Sequence, residues 1–256
     1  MRDALHQALT AIRDEVGSLE EYVREKLGYD TLDEVTADLM GLQIDTVAAA
    51  NYNLEHGTGV VIADQTGVGK GRQAAAIIRY AHRSGRTPIF ATKGPDLFTD
   101  MYRDLAAIGS GDLAPFIMNA DVKIMDEDGE LVVHKSLDSK KINEALDKVA
   151  ATGTLPDGFD MLFFSYPQIQ NPEQAKRKVS ALNALAENAI LILDESHEAA
   201  GGSSNRGEVM RPLVNAAAGV TYLSATFAKR PDTMGLYFRT VLGKMVDSVD
   251  ELISIM

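Results

Sequence analysis

The chain has 256 residues, enough for one large α/β domain or one domain with appendages, and enough to bury a substantial core. Its 45% hydrophobic and 24% charged residues are those of an ordinary soluble globular protein, and the absence of cysteine removes disulfides, Cys-ligated zinc, iron–sulfur clusters and thiol nucleophiles. The formal charge of −12 weighs against tight nucleic-acid binding by the chain alone, because such binding is driven largely by phosphate neutralisation. No apolar run approaches the roughly 20 residues that cross a bilayer, so no membrane partner is expected. Met1-Arg2-Asp3-Ala4 opens without an apolar signal core, and this, with the missing cysteines, fits a cytoplasmic protein.

In chain order, residues 1–40 predict a polar helical extension. Leu5, Leu9, Ile12 and Val16 recur at helical spacing, and Leu19, Tyr22, Val23 and Leu27 continue the pattern. Gly28 ends that run, and Thr31 with Glu34 reads as a capping box opening the next helix. From Gln43 strands alternate with helices. Strands are expected at Val60 to Ala63, Pro88 to Thr92, Met161 to Ser165, Ala189 to Leu193 and Val220 to Leu223. Helices are expected at Gly71 to Arg83, Asp96 to Ile108 and Pro172 to Asn188. Apolar runs separated by amphipathic helices predict a mostly parallel sheet covered on both faces, a three-layer α/β/α domain. Val122 to Met125 and Leu131 to Val133, flanking an Asp-Gly turn, predict a β-hairpin within an insertion of about 110–157. Gly201 to Asn205 reads as a flexible loop, Lys176-Arg177-Lys178 as a solvated helix face, and the methionines as core filler.

Ala63-Asp64-Gln65-Thr66-Gly67-Val68-Gly69-Lys70-Gly71-Arg72 lies between a predicted strand and a predicted helix, the context a phosphate loop requires. Glycines let successive N–H groups turn toward phosphate oxygens, and the helix adds its positive end. Lys70 would bridge the β- and γ-phosphates of ATP. The consensus asks for glycine at position 64 and a hydroxyl at position 71, where this chain has Asp64 and Gly71. Without that hydroxyl, Mg²⁺ must depend on other groups and water. The competing reading is a Gly-rich turn with a chance lysine.

Leu191-Ile192-Leu193-Asp194-Glu195-Ser196-His197 is an apolar strand ending in two carboxylates. Asp194 would hold the metal, and Glu195 would orient or deprotonate the attacking water, the two tasks that phosphoryl transfer to water needs. Glu195 is also a candidate metal ligand. The competing reading is an Asp-Glu pair capping the next helix. Val220 to Leu223 runs into Ser224-Ala225-Thr226, whose hydroxyls could bond the acidic motif and relay the nucleotide state. Gln43, upstream of the loop, offers an amide suited to an adenine edge. The order of the four motifs argues for one site, since ligands of open parallel sheets bind at the carboxyl ends of strands.

With these residues the sequence resembles the superfamily 2 helicases. Gln43 resembles their Q motif, Thr66-Gly67-Val68-Gly69-Lys70 motif I, Asp194-Glu195-Ser196-His197 the DEAH-type motif II, and Ser224-Ala225-Thr226 motif III. The loop from Asp64 to Arg72 is similar to that of strawberry notch proteins, which carry Gly-Lys-Gly-Arg in place of Gly-Lys-Thr. The likeness runs from about residue 41 to about 235. It implies a RecA-like P-loop NTPase domain over 41–235 that binds ATP and Mg²⁺ and hydrolyses ATP as a helicase or translocase on nucleic acid, with DNA the expected track. It implies a catalytic set of Lys70, Asp194, Glu195 and His197. It makes Gln43, Gln65, Thr66, Gly67, Val68, Gly69, Lys70, Gly71 and Arg72 nucleotide-binding, and Ser224 and Thr226 coupling residues. Thr92 and Lys93 would match motif Ia, where phosphate contacts are usual, and Phe163 to Gln168 a strand-end motif on the nucleic-acid side. Such modules in bacteria and phages often sit in large proteins.

Helicases of this kind also carry a second RecA-like domain with arginine fingers. Roughly 30 residues follow Thr226, too few for it, so 236–256 is expected to be a C-terminal helical segment or a linker to a second domain in the same or another chain. Two further readings stay open: a nucleotide-dependent binding or remodelling module with little hydrolysis, and a P-loop kinase. The Ser-Ala-Thr strand and the order of the acidic motif count against the kinase.

Overall fold

The computed structural model describes residues 2–63, 69–126, 128–200, 205–225 and 231–240, together with Ser248 and Glu251. Asp64 to Val68 of the phosphate loop, Gly201 to Ser204 of the expected flexible loop, Thr226, and most of the expected C-terminal segment lie outside the described residues.

Four helices come first: α1 (Arg2–Val16), α2 (Leu19–Leu27), α3 (Leu32–Asp38) and α4 (Gly41–Glu55). Helix α2 is bounded by its own chemistry. The Ser18 hydroxyl accepts the Glu21 N–H, and Gly28 takes the left-handed conformation at φ 67° that ends it. Thr31 caps α3 by accepting the Glu34 N–H at 3.3 Å. The expected box is only half formed, because the Glu34 carboxylate takes the N–H of Asp30 instead of that of Thr31.

The alternating part follows as β1 (Val60–Ile62), α5 (Lys70–Arg83), β2 (Thr87–Thr92), α6 (Leu97–Ala106), β3 (Pro115–Ile117), β4 (Lys123–Met125), β5 (Val132–Lys135), α7 (Ser139–Thr152), β6 (Met161–Ser165), α8 (Pro172–Ala186), β7 (Ala189–Asp194), α9 (Asn205–Ala216) and β8 (Gly219–Leu223). Short 3₁₀ turns occupy Tyr166–Ile169, Ser196–Glu198 and Pro231–Tyr237. Six strands form one sheet in the order β1-β8-β7-β2-β6-β3, and every neighbouring pair is parallel.

The strands read as unbroken apolar runs because both faces are covered. Phe90, Phe163, Ile192 and Leu223 point into one core, where they meet α1 to α6. Their neighbours Ala91, Phe164, Leu191 and Tyr222 point into the other, against α7, α8 and α9. Each large side chain buried in this way is worth about 1.5–3 kcal/mol relative to exposure. Phe90, Phe98 and Phe163 pack their rings with centroids 5.2 to 6.5 Å apart, fixing α6 on the sheet.

Two expectations about boundaries change. The N-terminal helices are not an appendage, since Leu9, Leu19, Val23, Leu27 and Val35 belong to the same core as α5. Arg79 of α5 donates to the carbonyls of Leu27 at 2.7 Å and of Ile108, and its guanidinium lies 4.1 Å from the Tyr29 ring centre. The segment 110–157 is likewise more than an insertion. Pro115–Ile117 pairs with β6 as an edge strand of the main sheet, and α7 covers that sheet beside α8. At three residues that strand is too short to show periodicity. The hairpin does form outside the main sheet, as antiparallel β4 and β5, its turn held by Asp126 Oδ1 accepting from Glu130 and Leu131 N–H groups. No helix among the described residues is long and apolar enough to cross a membrane.

Candidate functional site

The six strands of the main sheet being parallel, their carboxyl ends open on one side of it, and the motif residues gather there. Asp194 is the last residue of β7, and Thr92 is the last residue of its neighbour β2. Ala91 sits opposite Leu193 in the β2–β7 ladder, which brings Thr92 beside Asp194. The Thr92 hydroxyl donates to Asp194 Oδ2 at 2.8 Å, and the Tyr166 hydroxyl donates to the Asp194 carbonyl at 2.7 Å. Burial pushes the Asp194 carboxyl above the usual range. The Thr92 hydrogen bond pulls it back, the adjacent Glu195 carboxylate pushes it up, and the Lys70 ammonium pulls it down. A desolvated carboxylate held in place with a lysine nearby is a donor that a cation would satisfy.

Glu195 leaves the strand in the left-handed region, at φ 46° and ψ 46°. A non-glycine residue there costs roughly 1–3 kcal/mol and recurs at functional sites, where the surrounding structure holds it. The turn carries His197 toward β8. His197 Nδ1 lies 2.9 Å from the Ser224 hydroxyl and 3.4 Å from Glu195 Oε2, with Nε2 3.6 Å from Glu198 Oε1. The hydroxyls of Ser196 and Tyr237 are 2.9 Å apart, so the acidic turn also touches the segment that follows β8.

On the loop side, Gly69 precedes α5 at φ 82°, and its carbonyl accepts the Arg72 N–H at 3.0 Å and a Gln43 side-chain N–H at 3.3 Å. The Gln43 oxygen accepts the Met40 N–H at 2.9 Å. The expected adenine-reading amide is therefore engaged with the main chain on both sides, clamping the loop's end to the start of α4. A Cβ on Gly69 would come within 2.2 Å of Gln43 Nε2 and push that amide aside, and the φ of 82° itself favours glycine. At Gly71, whose backbone is ordinary helix, a Cβ would lie 2.0 Å from Asp104 Oδ2 of α6, so any side chain there would displace that carboxylate. Arg72 donates to the Asp38 carbonyl at 2.8 Å, and its Nε is 3.9 Å from Asp104 Oδ1. Burial pushes the Asp104 carboxyl up, opposed by Arg103 and Arg72.

Lys70, Gly71, Asp100, Asp104, Asp194 and Leu223 line one cavity of about 150 Å³. Lysine, loop end and strand-end aspartate are thus in one place. A wider hollow of about 420 Å³ between α7 and α8, lined by Asp147, Glu173 and Arg177, holds no motif residue and lies off the strand ends. Among the described residues no three carboxylate or imidazole groups are arranged to hold a metal by themselves. That suits Mg²⁺, which usually takes one or two carboxylates and completes its shell with substrate phosphates and water.

Several expectations land elsewhere. Thr92 is buried against Asp194, which excludes the phosphate contact expected of it, while Lys93 beside it is exposed. Phe163 to Tyr166 are buried, Ser165 is bonded to Asn119, and Gln168 pairs with Lys178, so these residues build the buried end of the interior strand β6 and the turn after it rather than an open nucleic-acid face. The basic helix face is solvated only in part: Arg177 pairs with Asp147 at 2.6 Å, and Lys178 is half-buried. Gln65, Thr66, Gly67, Val68 and Thr226 lie outside the described residues. Sequence reasoning missed Asn119 and Asp104, and it set Tyr166 on the nucleic-acid side rather than beside Asp194. Only Asp104 left a trace, in the unusual glycine at position 71.

A family model described as P-loop containing NTP hydrolase pore-1 matches residues 15–247. The SWI2/SNF2 ATPase core of Sulfolobus solfataricus in complex with dsDNA is similar, with a TM-score of 0.57 at 14% identity over 84% of this chain and 38% of that one. The SWI2/SNF2 ATPase core domain of the same organism aligns at 0.53 and 14%, over 83% of this chain and 36% of that one. A nuclease-deletion mutant of the Type ISP restriction-modification enzyme LlaGI, in complex with a DNA substrate mimic, aligns at 0.50 and 18%, over 74% and 17%. The chain thus spans less than two-fifths of each of these proteins, and at such identities the likeness concerns the fold, that of a RecA-like P-loop NTPase domain. No curated protein matches the sequence.

Proposed function

The chain belongs to the P-loop containing NTP hydrolase pore-1 family, and on that premise we propose that it is the first RecA-like, ATP-hydrolysing domain of a helicase or translocase that works on DNA. The observation that carries the reading is the shared cavity of Lys70 and Asp194, one at the loop's end and one at a strand's end. In this reading Lys70 places its charge against the β- and γ-phosphates. Asp194, oriented by Thr92 and Tyr166, holds Mg²⁺ directly or through water, with Glu195 beside it. Bound with the nucleotide, Mg²⁺ would neutralise charge on the phosphate oxygens. Glu195 orients the attacking water and accepts its proton. His197, bonded to Ser224, ties this turn to the end of β8, the route by which nucleotide state would reach the rest of the protein. The Gly69-Lys70-Gly71-Arg72 loop supports a place near the strawberry notch proteins.

The likeness to DNA-bound ATPase cores supports DNA as the track. The proposed partner is a second RecA-like domain, in the same or another chain, closing the site with its arginines. The test is ATP turnover by the protein with that domain present, with and without duplex DNA. Turnover that rises with DNA supports the reading. Nucleotide binding without turnover in either condition would favour the second reading, a nucleotide-dependent binding module.

A further inference from the structure

We propose that the carboxylate of Asp104 replaces the hydroxyl that position 71 lacks, so that Asp104 and Asp194 together hold the nucleotide-bound Mg²⁺, each directly or through a bound water. The proposal rests on the nucleotide reading above and adds a ligand that no motif supplies. In a phosphate loop the residue after the lysine carries a Ser or Thr hydroxyl for the metal. Here that residue is Gly71, in the first turn of α5. A Cβ built on Gly71 would lie 2.0 Å from Asp104 Oδ2 and 3.1 Å from its carboxyl carbon. No unbonded atom can stay that close. The carboxylate oxygen therefore occupies the volume that a serine or threonine side chain at position 71 would fill. The oxygen donor has been kept in place, but it arrives from α6 and the glycine admits it.

Two further observations point to a cation. Asp104 lines the same cavity as Lys70 and Asp194, so its carboxylate borders the space where the metal belongs. It is also poorly neutralised. Its side chain is 22% exposed, and its ion pair with Arg72 is long, at 3.9 Å. Among the described residues no N–H or O–H group donates to it, and the Arg72 Nε facing it makes no hydrogen bond. A half-buried carboxylate without a donor is unfavourable, and a bound cation relieves it. Two carboxylates with phosphates and water also match the usual Mg²⁺ shell. Arg72, anchored to the Asp38 carbonyl, stands behind Asp104 and completes the logic of Gly-Lys-Gly-Arg: glycine admits the carboxylate and arginine backs it.

The test measures metal binding rather than turnover. Mn²⁺ affinity of the full chain is read by electron paramagnetic resonance with ADP present, and ADP affinity is read separately in EDTA. Asp104→Asn is expected to weaken Mn²⁺ binding by roughly tenfold or more, as loss of a group supporting a metal site does, and to leave metal-free ADP binding unchanged. Gly71→Ser combined with Asp104→Ala restores a hydroxyl in the vacated space and should recover most of the loss seen in Asp104→Ala alone. Unchanged Mn²⁺ affinity in Asp104→Asn, alongside a loss in Asp194→Asn, would make Asp104 a structural partner of Arg72 and overturn the proposal. A loss that the serine does not recover would overturn the replacement as well. Failure of the wild-type chain to bind ADP at all would instead sink the nucleotide reading, and this proposal with it. Should the variants not fold, Fe²⁺ with ADP and peroxide on the wild-type chain decides the matter. Backbone cleavage near both residues 104 and 194 is expected, and cleavage near 194 alone would be the contrary result.

Discussion

Thr92 and Asp194, 102 residues apart in the chain, end adjacent parallel strands, and the threonine hydroxyl donates to the aspartate at 2.8 Å. The bond fixes the rotamer of a carboxylate that burial alone would disfavour as an anion. A hydrogen bond to a charged group is worth about 1.5–3 kcal/mol, so Thr92→Val, which keeps the shape and removes the donor, should cut ATP turnover by roughly tenfold or more. The loss should appear in the Mg²⁺ concentration needed for half-maximal turnover, and Thr92→Ser should retain most of the activity. An unchanged Mg²⁺ dependence in the valine variant would mean that Thr92 does not orient Asp194.

Lys70→Ala and Glu195→Gln should each abolish ATP hydrolysis by the protein with its second RecA-like domain present. They act differently: the lysine variant should also lose nucleotide affinity, whereas Glu195→Gln keeps the shape of the turn and should still bind ATP. Steady-state phosphate release and nucleotide titration separate the two. Wild-type rates in either variant would refute the site. Where that second domain is removed, turnover should be slow, since an arginine finger is worth about 10³-fold or more in rate.

His197 and Ser224 join the acidic turn to the end of β8 at 2.9 Å. A double-mutant cycle with His197→Ala and Ser224→Ala, read by denaturant unfolding, should give a coupling energy of about 0.5–1.5 kcal/mol. If the bond also relays nucleotide state, each single variant should lose most of its DNA stimulation. Additive stability effects would show that the contact carries no energy.

Arg79→Ala should destabilise the fold by about 2–4 kcal/mol, because it strips buried carbonyl oxygens of a charged donor. Those carbonyls belong to Leu27 of α2 and to Ile108 just beyond α6, and the guanidinium also stacks on Tyr29. The helices before residue 41 should therefore unfold with the sheet in a single transition. An independent early melting of those helices would contradict their place in the core.

Most of the architecture was legible in advance. The central strands β2, β6, β7 and β8 are apolar runs between turn signals, and their helices carry the 3.6-residue period, so a sheet covered on both faces follows from local pattern. β3 escaped because three residues carry no period, and its assignment depends on pairing with β6. In the site, Lys70 and Asp194 were legible because their motifs mark an element's end. Gln43 could be singled out by its place before the loop, but its partners, the Met40 N–H and Gly69 carbonyl, belong to main chain that no motif names.

What the sequence alone determined is which residues stand at the ends of the strands: apolar periodicity, glycine at positive φ and helix caps are local properties written over a few neighbouring residues. What only the tertiary structure decided is which of those residues touch. Thr92 reaches Asp194 because β2 lies next to β7, and Asp104 reaches Gly71 because α6 packs on α5. Strand order and helix packing are set by the summed burial of two cores, not by any short stretch of chain. The same glycine that reads as a missing ligand in one dimension is, in three, the space that a carboxylate enters.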